Sequence, residues 1–260
     1  SINMFEEERL KKIAEYVQNQ SRASVQELCS LFKVSESTVR RDLTELEDRK
    51  LLKRTHGGAL DLRSVSFEPT YSEKEDIYKE EKSRIAKKAA ELIQDGDSLI
   101  IDAGTTTSYL ALELLKFHNI TVVTNSINLL QKLSSILGIE IMSTGGTLRK
   151  NTMALVGPMA EDSLNHIRVD KAFIATNGFD VREGLTTPNI VEAHIKQKMI
   201  SVADQVYILA DHSKIGHVSF AKFGKCSDVD ACITSNEISE EHKIEFDSNN
   251  IKLYLVDVNG

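Results

Sequence analysis

The sequence predicts an α/β protein in two parts, a small helical unit ending in a β-hairpin over residues 1–60 and a larger, mainly parallel α/β domain over residues 76–260, joined by a linker at 61–75. Three observations predict it. Residues 1–60 hold three amphipathic helical stretches followed by a basic, glycine-ended segment. From residue 98 onward, short apolar runs alternate with helix-length patterns. The charge also divides: residues 1–60 carry eleven Lys and Arg against ten Asp and Glu, a net of +1, whereas residues 61–260 carry 21 against 29, a net of -8.

In the first part, Leu10, Ile13, Ala14 and Val17 recur at helical spacing between residues 5 and 20. "SVQE", Ser24 to Glu27, is a capping box, so a second helix starts at Val25 and buries Leu28, Leu31 and Phe32. Only Lys33 and Val34 separate it from Ser35, an N-cap for a third helix with Val39, Leu43 and Leu46 as its apolar stripe. Two short helices with a tight joint make a helix-turn-helix. With that stripe turned inward, Ser35, Ser37, Thr38, Arg40 and Arg41 stand at the start of the third helix, where residues can reach base edges and phosphates. The same arginines could instead pair with Asp42 and Glu45 on a solvated helix. "LLKRTHGGA", Leu51 to Ala59, reads as a strand and a turn, the shape of a basic β-wing in which Lys53, Arg54 and His56 could flank the minor groove or the phosphates. Double-stranded DNA is the partner these features imply.

Leu62 to Tyr78, with Pro69 and mixed charge, reads as a linker, and Glu80 to Ile93 resumes a helix with Ile85, Ala89 and Ile93 in register, which puts the domain boundary near residue 75. Apolar strands follow at 98–102, 120–124, 139–143, 170–175, 206–210, 231–235 and 251–256. In "LIIDAGTTTSYL", residues 99–110, the first of these strands runs into a glycine and three threonines before a helical pattern resumes.

Polar clusters fall directly after five of these strands: Asp102 to Thr107, Thr124 to Ser126, Thr144 to Thr147, Thr176 to Asp180 with Gly178, and Asp211 to Lys214. The C-terminal edge of an open α/β sheet is where ligands bind. Main-chain N–H groups at Gly104, Thr105, Thr106 and Thr107 and at Gly145 and Gly146 suit phosphate oxygens, with Arg149, Lys196 or Lys214 supplying charge. Asp102, Thr124, Asn125, Ser126, Asp180, Glu192 and Asp211 offer partners for hydroxyls. The chemistry points to a phosphorylated sugar or polyol. Glu192 and Lys196, four apart on one helix, could equally be an ion pair.

"VQELCSLFKVSESTVRRDLTELEDRKLLKRTHGGA" resembles the N-terminal winged helix-turn-helix of the DeoR family of bacterial sugar-catabolism regulators. "IDAGTTT", "VVTNS", "TGGTLR", "GLTTPNIVEA" and "LADHSKIG" resemble that family's sensor domain, so nearly the whole chain is covered. The resemblance implies a Rossmann-like sensor related in fold to ribose-5-phosphate isomerase, a repressor released from its operator by a phosphorylated sugar or polyol, and a homodimer or homotetramer.

The alternative is a sugar-phosphate isomerase-like enzyme with an attached DNA-binding domain, in which Asp102, Asp180, Glu192 or Asp211 would serve as a general base. Against it, the sequence shows no Walker A pattern, no Gly-x-Gly-x-x-Gly and no legible Ser-His-Asp order, so neither catalytic residues nor a cofactor are expected. Cys29, Cys226 and Cys232 have no Cys-x-x-Cys spacing, which argues against disulfides and a zinc site. Apolar runs fall far short of the roughly 20 residues that span a bilayer, and Glu6, Glu7 and Glu8 are unlike a signal peptide, so a soluble cytoplasmic protein is expected.

Overall fold

Caps and apolar spacing place the first three helices where the sequence expects them. In the computed structural model, which describes residues 5–65, 67–75 and 77–259, α1 (Glu6–Gln20) buries Leu10, Ile13 and Val17. It leads through β1 (Arg22–Ser24) to α2 (Val25–Phe32) and α3 (Glu36–Asp48). The capping box is present: Ser24 Oγ accepts from Glu27 N at 3.1 Å, and Ser24 N donates to Glu27 Oε2 at 3.2 Å. Lys33, at φ 54, closes the joint in the left-handed region, and Ser35 Oγ caps α3 by accepting from Thr38 N. Leu31 departs from expectation. It falls off the stripe set by Val25, Leu28 and Phe32 and is 52% exposed.

The hairpin is β2 (Lys53–Thr55) with β3 (Gly58–Leu60), and β1 adds to β3 to give the order β1-β3-β2. β1 was not foreseen, yet it explains a glycine: a Cβ on Gly58 would lie 2.0 Å from Ala23 O, so only glycine lets the two strands approach. These elements lie in the first of two compact units, Ser1–Phe67 and Glu68–Gly260.

The second unit runs α4 (Tyr71–Glu75), α5 (Lys79–Ala90), β4 (Ser98–Ile101), α6 (Thr105–Ser108), α7 (Leu110–Glu113), β5 (Ile120–Thr124), α8 (Ile127–Leu133), β6 (Ile139–Ser143), β7 (Thr147–Arg149) and β8 (Ala154–Val156). It continues α9 (Pro158–Leu164), β9 (Val169–Ala175), β10 (Gly178–Asp180), β11 (Gly184–Thr187), α10 (Ile190–Ser201), β12 (Ala203–Leu209), β13 (Ala221–Gly224), β14 (Ala231–Ser235), α11 (Glu240–Ser248) and β15 (Leu253–Val256). The seven expected strands form one seven-stranded sheet, β15-β14-β12-β9-β4-β5-β6, with every pairing parallel. Its inner strands read as continuous apolar runs because both faces are covered. Ile100, Ala172 and Ile174 pack to one side with Ala160, Ile195 and Phe246, while Leu99, Ile101 and Phe173 pack to the other with Ile85, Ala89, Leu110 and Leu129.

Three features differ from the sequence reading. Part of the expected linker is helical and belongs to the second unit: α4 lies inside 61–75, with Tyr71 N donating to Asn151 O at 2.9 Å. The helix after the threonine turn is broken into α6, α7 and a 3-10 turn at Leu114–Lys116. A β7–β8 hairpin and an antiparallel sheet of β10, β11 and β13 were not anticipated.

Numbered by their order in the chain, the strands of the main sheet run 3-2-1-4-5-6-7 from the β6 edge. β4 and β9, adjacent and parallel, send their connections in opposite directions, which makes the space beyond their C-terminal ends the topological switch point.

Candidate functional site

In the first unit, α3 presents an exposed basic face because the acids beside it are engaged elsewhere. Asp42, 1% exposed, takes a bidentate contact from Arg9 (Nε to Oδ2 2.5 Å, Nη2 to Oδ1 3.0 Å). Glu45 is held by Arg49 at 2.8 Å. The pairing of Arg40 and Arg41 with Asp42 and Glu45 therefore does not occur. Arg41 is exposed, and Arg40 reaches only Glu36, at 3.7 Å on the surface, a contact worth little. Ser35, Ser37 and Thr38 share a hydroxyl cluster, with Ser35 Oγ 2.9 Å from Ser37 Oγ and 3.0 Å from Thr38 Oγ1.

The wing is less free. Arg54 is half-buried against α3: its Nη1 donates to Thr44 Oγ1 at 2.9 Å and its backbone N to Glu47 Oε2 at 2.6 Å. Lys53 lies 3.8 Å from the same Glu47. His56, at the hairpin tip, is exposed.

The second unit carries a cleft at the switch point. Its cavity volume is small, about 30 Å³. Ala103 to Thr106 line it from the end of β4, Ala175 to Asn177 from the end of β9, Glu192 and Lys196 from α10, and Lys214 from the 3-10 turn after β12. Glu68, Pro69, Tyr71 and Lys74 line it from the segment 61–75 that reads as a linker in the sequence. No apolar periodicity marks those four residues, so the sequence offered no signal for them.

Of the expected ligand groups, Gly104, Thr105, Thr106, Glu192, Lys196 and Lys214 reach the cleft. Others build its walls. Thr107 Oγ1 donates to Asp102 O at 2.7 Å, and Thr124 Oγ1 to Ile101 O at 2.5 Å. Asn125 bridges Ala103 N (2.9 Å) and Leu155 O (3.1 Å), while Ser126 caps α8. Asp211 caps the turn that carries Lys214, accepting from Ser213 N at 2.9 Å. The rest are not among the cleft's lining residues. Asp180 accepts from Arg182 N and Glu183 N in a turn, and Gly178 admits His217 O, 2.2 Å from where a Cβ would sit. Gly145 is exposed, and Gly146, at φ 112, lies against Val156 O and Ala160.

The cleft's electrostatics are specific. Lys196 Nζ is bound to Asp102 and donates to Ala175 O at 2.7 Å. Burial pushes the Asp102 carboxyl above its ordinary range, with the Lys196 ammonium opposing that shift. Arg149 is paired with Glu68 through both carboxylate oxygens and also contacts Glu192 at 3.3 Å. Glu192 further accepts from Thr152 Oγ1, and Glu68 from Asn151 Nδ2 at 2.8 Å. Of the cations expected to supply charge, Arg149 and Lys196 are thus neutralised locally. Lys82, missed in the sequence, is buried and donates to Lys74 O at 2.6 Å and Thr105 Oγ1 at 3.0 Å, and burial lowers its pKa to about 8. Lys74 is lowered to about 7, first by burial of its ammonium and then by the charges of Lys214, Lys196 and Lys82, with Glu192 opposing.

A helix-turn-helix unit with an exposed basic face, joined to an α/β unit with a charged cleft at its switch point, defines a DNA-binding transcriptional regulator with a sensor domain. The comparisons agree. Residues 9–65 match the DeoR-like helix-turn-helix domain, and residues 78–236 match the DeoR C terminal sensor domain. The chain belongs to the DeoR family. It is 41% identical over 245 residues to the HTH-type transcriptional regulator GlpR of Haloferax volcanii, covering 94% of this chain and 96% of that one. It is 38% identical over 255 residues to the HTH-type transcriptional repressor GlcR of Bacillus subtilis, covering 98% of each. Ribose 5-phosphate isomerase from Plasmodium falciparum aligns with 52% of this chain and 52% of its own at 20% identity and a TM-score of 0.37, a likeness too slight to bear on activity. Among the described residues no helix is long and apolar enough to cross a membrane, and no group of three or more His, Cys, Asp or Glu could hold a metal ion.

Proposed function

We propose that the chain represses a sugar or polyol catabolic operon by binding operator DNA through α3 and the β2–β3 hairpin, and that a phosphorylated sugar or polyol in the switch-point cleft releases it. The observation that carries this reading is the cleft itself, which joins the threonine turn after β4 to lysines from three different elements. GlpR, GlcR and the "Lactose phosphotransferase system repressor" of Staphylococcus epidermidis, 36% identical over 244 residues, are named as regulators or repressors, which supports the output assigned here. A symmetric homo-oligomer, a dimer or a tetramer, would present two copies of α3 to a palindromic site.

An enzymatic role is disfavoured by the state of the candidate bases. Asp102 is tied to Lys196, Asp180 and Asp211 hold turns, and Glu192 is engaged by Arg149 and Thr152.

The test is operator binding followed by fluorescence anisotropy during titration with a panel of phosphorylated sugars and polyols. Release by one of them, and not by its unphosphorylated parent, is expected. Thr106→Asp sets a fixed negative charge on the cleft wall, so this variant should bind operator normally and resist release. Release of the variant at the wild-type ligand concentration would show that the anion lies elsewhere. Turnover of a sugar phosphate by the purified chain, abolished in Glu192→Gln, would overturn the non-enzymatic reading.

A further inference from the structure

Side chains alternate along the wing strand β2, and Arg54 falls on its inner side. It sits across from Ala59 in the β2–β3 register and two residues after Leu52, and both of those side chains are 2% exposed. A cation at a core-facing position needs partners there, and α3 supplies them. Arg54 Nη1 donates to Thr44 Oγ1 at 2.9 Å and its backbone N to Glu47 Oε2 at 2.6 Å, so one wing residue holds α3 at two places three residues apart. Thr44 Oγ1 in turn donates to Arg40 O at 2.9 Å, which carries the link up one turn toward the exposed basic face. Arg54 Nε is enclosed, with no hydrogen-bond partner among the described residues. A guanidinium turned against α3, with one edge closed to solvent, is placed to hold the helix and not to reach a phosphate.

We propose that Arg54 is a positioning residue of the DNA-binding unit: it makes no contact with DNA and locks the β2–β3 hairpin to α3, so that helix and wing meet the duplex at a fixed angle. This departs from the sequence expectation, which sets Arg54 with Lys53 and His56 at the minor groove or the phosphates. The role rests on the reading that α3 and the hairpin bind operator DNA. A lock and a phosphate contact differ physically. A phosphate contact releases counterions, acts on every sequence alike and contributes about 0.9 to the slope of log K against log salt. A lock releases no counterions. It keeps contacts made by other residues in register, so its loss falls on the specific site, where all of them must be met at once.

The experiment uses the full chain and two labelled duplexes of equal length, one selected by the wild-type chain from a random pool and one unselected, followed by anisotropy over a salt series. Arg54→Met keeps the apolar stem and removes the guanidinium donors. It should weaken binding to the selected duplex about tenfold. Binding to the unselected duplex should stay within about twofold of wild type, with the salt slope unchanged. Thr44→Val removes the acceptor at an exposed position, so it folds even if Arg54→Met does not, and it should show the same signs. The double variant should bind within about twofold of Arg54→Met, because both changes cut one link. Hydrogen exchange on the free chain reads the lock without DNA: both variants should exchange faster over 53–60 while α1 keeps its protection. A slope lowered by about one, with equal loss on both duplexes, would overturn the lock in favour of a phosphate contact. Full affinity for the selected duplex in both variants, or unchanged hairpin exchange in both, would overturn it outright. If the wild-type chain selects no duplex, the DNA reading fails by itself, and hairpin exchange still decides whether Arg54 holds the wing.

Discussion

Asp42 lies in the same run, "TVRRDL", as the two arginines that face outward, but its expected effect is of another kind. It is 1% exposed and holds both nitrogens that Arg9 directs at it across 33 residues of sequence, joining α1 to α3. Asp42→Ala leaves the Arg9 guanidinium, with 10% side-chain exposure, without the carboxylate that holds it. Breaking a buried pair in this way costs about 3–5 kcal/mol. A folded domain has roughly 5–15 kcal/mol in total, and units of about 60 residues lie at the low end, so the loss is most of what the first unit has. The assay is hydrogen exchange read by mass spectrometry on the full chain. Peptides of α1 and α3 should lose most of their protection while those of β4, β9 and β12 keep theirs. The exposed pair of Arg49 and Glu7, at 2.7 Å, serves as a control, since solvent screens it and Glu7→Ala should leave exchange nearly unchanged. Unchanged protection in α1 and α3 of Asp42→Ala would refute the assignment of Asp42 as a structural tie.

Arg41→Ala should leave those same peptides protected and weaken operator binding by about 1–3 kcal/mol at fixed salt; anisotropy checks it, and full affinity would remove Arg41 from the DNA-reading surface. Glu68→Gln takes a negative charge from the cleft wall and frees Arg149, so a phosphorylated ligand should bind roughly fivefold more tightly, about 1 kcal/mol, by calorimetry; weaker binding would show that the Glu68 pairing builds the site instead of opposing the ligand. Phosphate-monoester affinity should also depend on pH in a defined direction. The ligand becomes a dianion above about pH 6, while Lys74 and then Lys82 lose charge as pH rises through about 7 and about 8, so affinity should be greatest near pH 6–7 and fall toward pH 9. Rising affinity over that range would contradict the lysine assignment.

The parallel sheet was legible because buried strands leave unbroken apolar runs: the strands at 120–124, 139–143 and 231–235 begin and end where the sequence places them. The helix caps were legible because Ser24, Glu27 and Ser35 bond locally, within three residues. What stayed hidden depends on distant partners. β1 is only Arg22–Ser24 and exists because the wing strand pairs with it, and β13 pairs with β11 from a distant stretch of the chain. The same holds for the cleft. The threonine turn and Lys214 announce themselves after strands, but Lys74 and Lys82 stand in a charged, apolar-poor stretch. Their role appears only when Lys82 reaches Thr105, 23 residues on. The counter-charges of Arg149 and Lys196 do not show in the sequence, which offers Glu192 as the partner of Lys196, because Glu68 and Asp102 are 81 and 94 residues away.

That last pair changes the meaning of the motif "IDAGTTT". Asp102 reads as a ligand group or a general base, being a lone carboxylate at the end of a strand. In the fold it closes the switch point. Its Oδ2 accepts from Ala175 N at 3.1 Å and binds Lys196, whose Nζ in turn donates to Ala175 O at 2.7 Å. One carboxylate and one ammonium thereby satisfy both main-chain groups of the residue at the end of β9, where β4 and β9 begin to diverge. The strands can part there without orphaning the two main-chain groups of Ala175. A carboxylate buried to 2% exposure and already bearing a lysine is poorly placed to take a proton from a substrate, but well placed to hold Gly104, Thr105 and Thr106 at a fixed distance from Thr176 and Asn177. The acid of the turn thus belongs to the frame of the cleft, which leaves Gly104 and Thr106 of the turn, with Lys214, among the groups that line it.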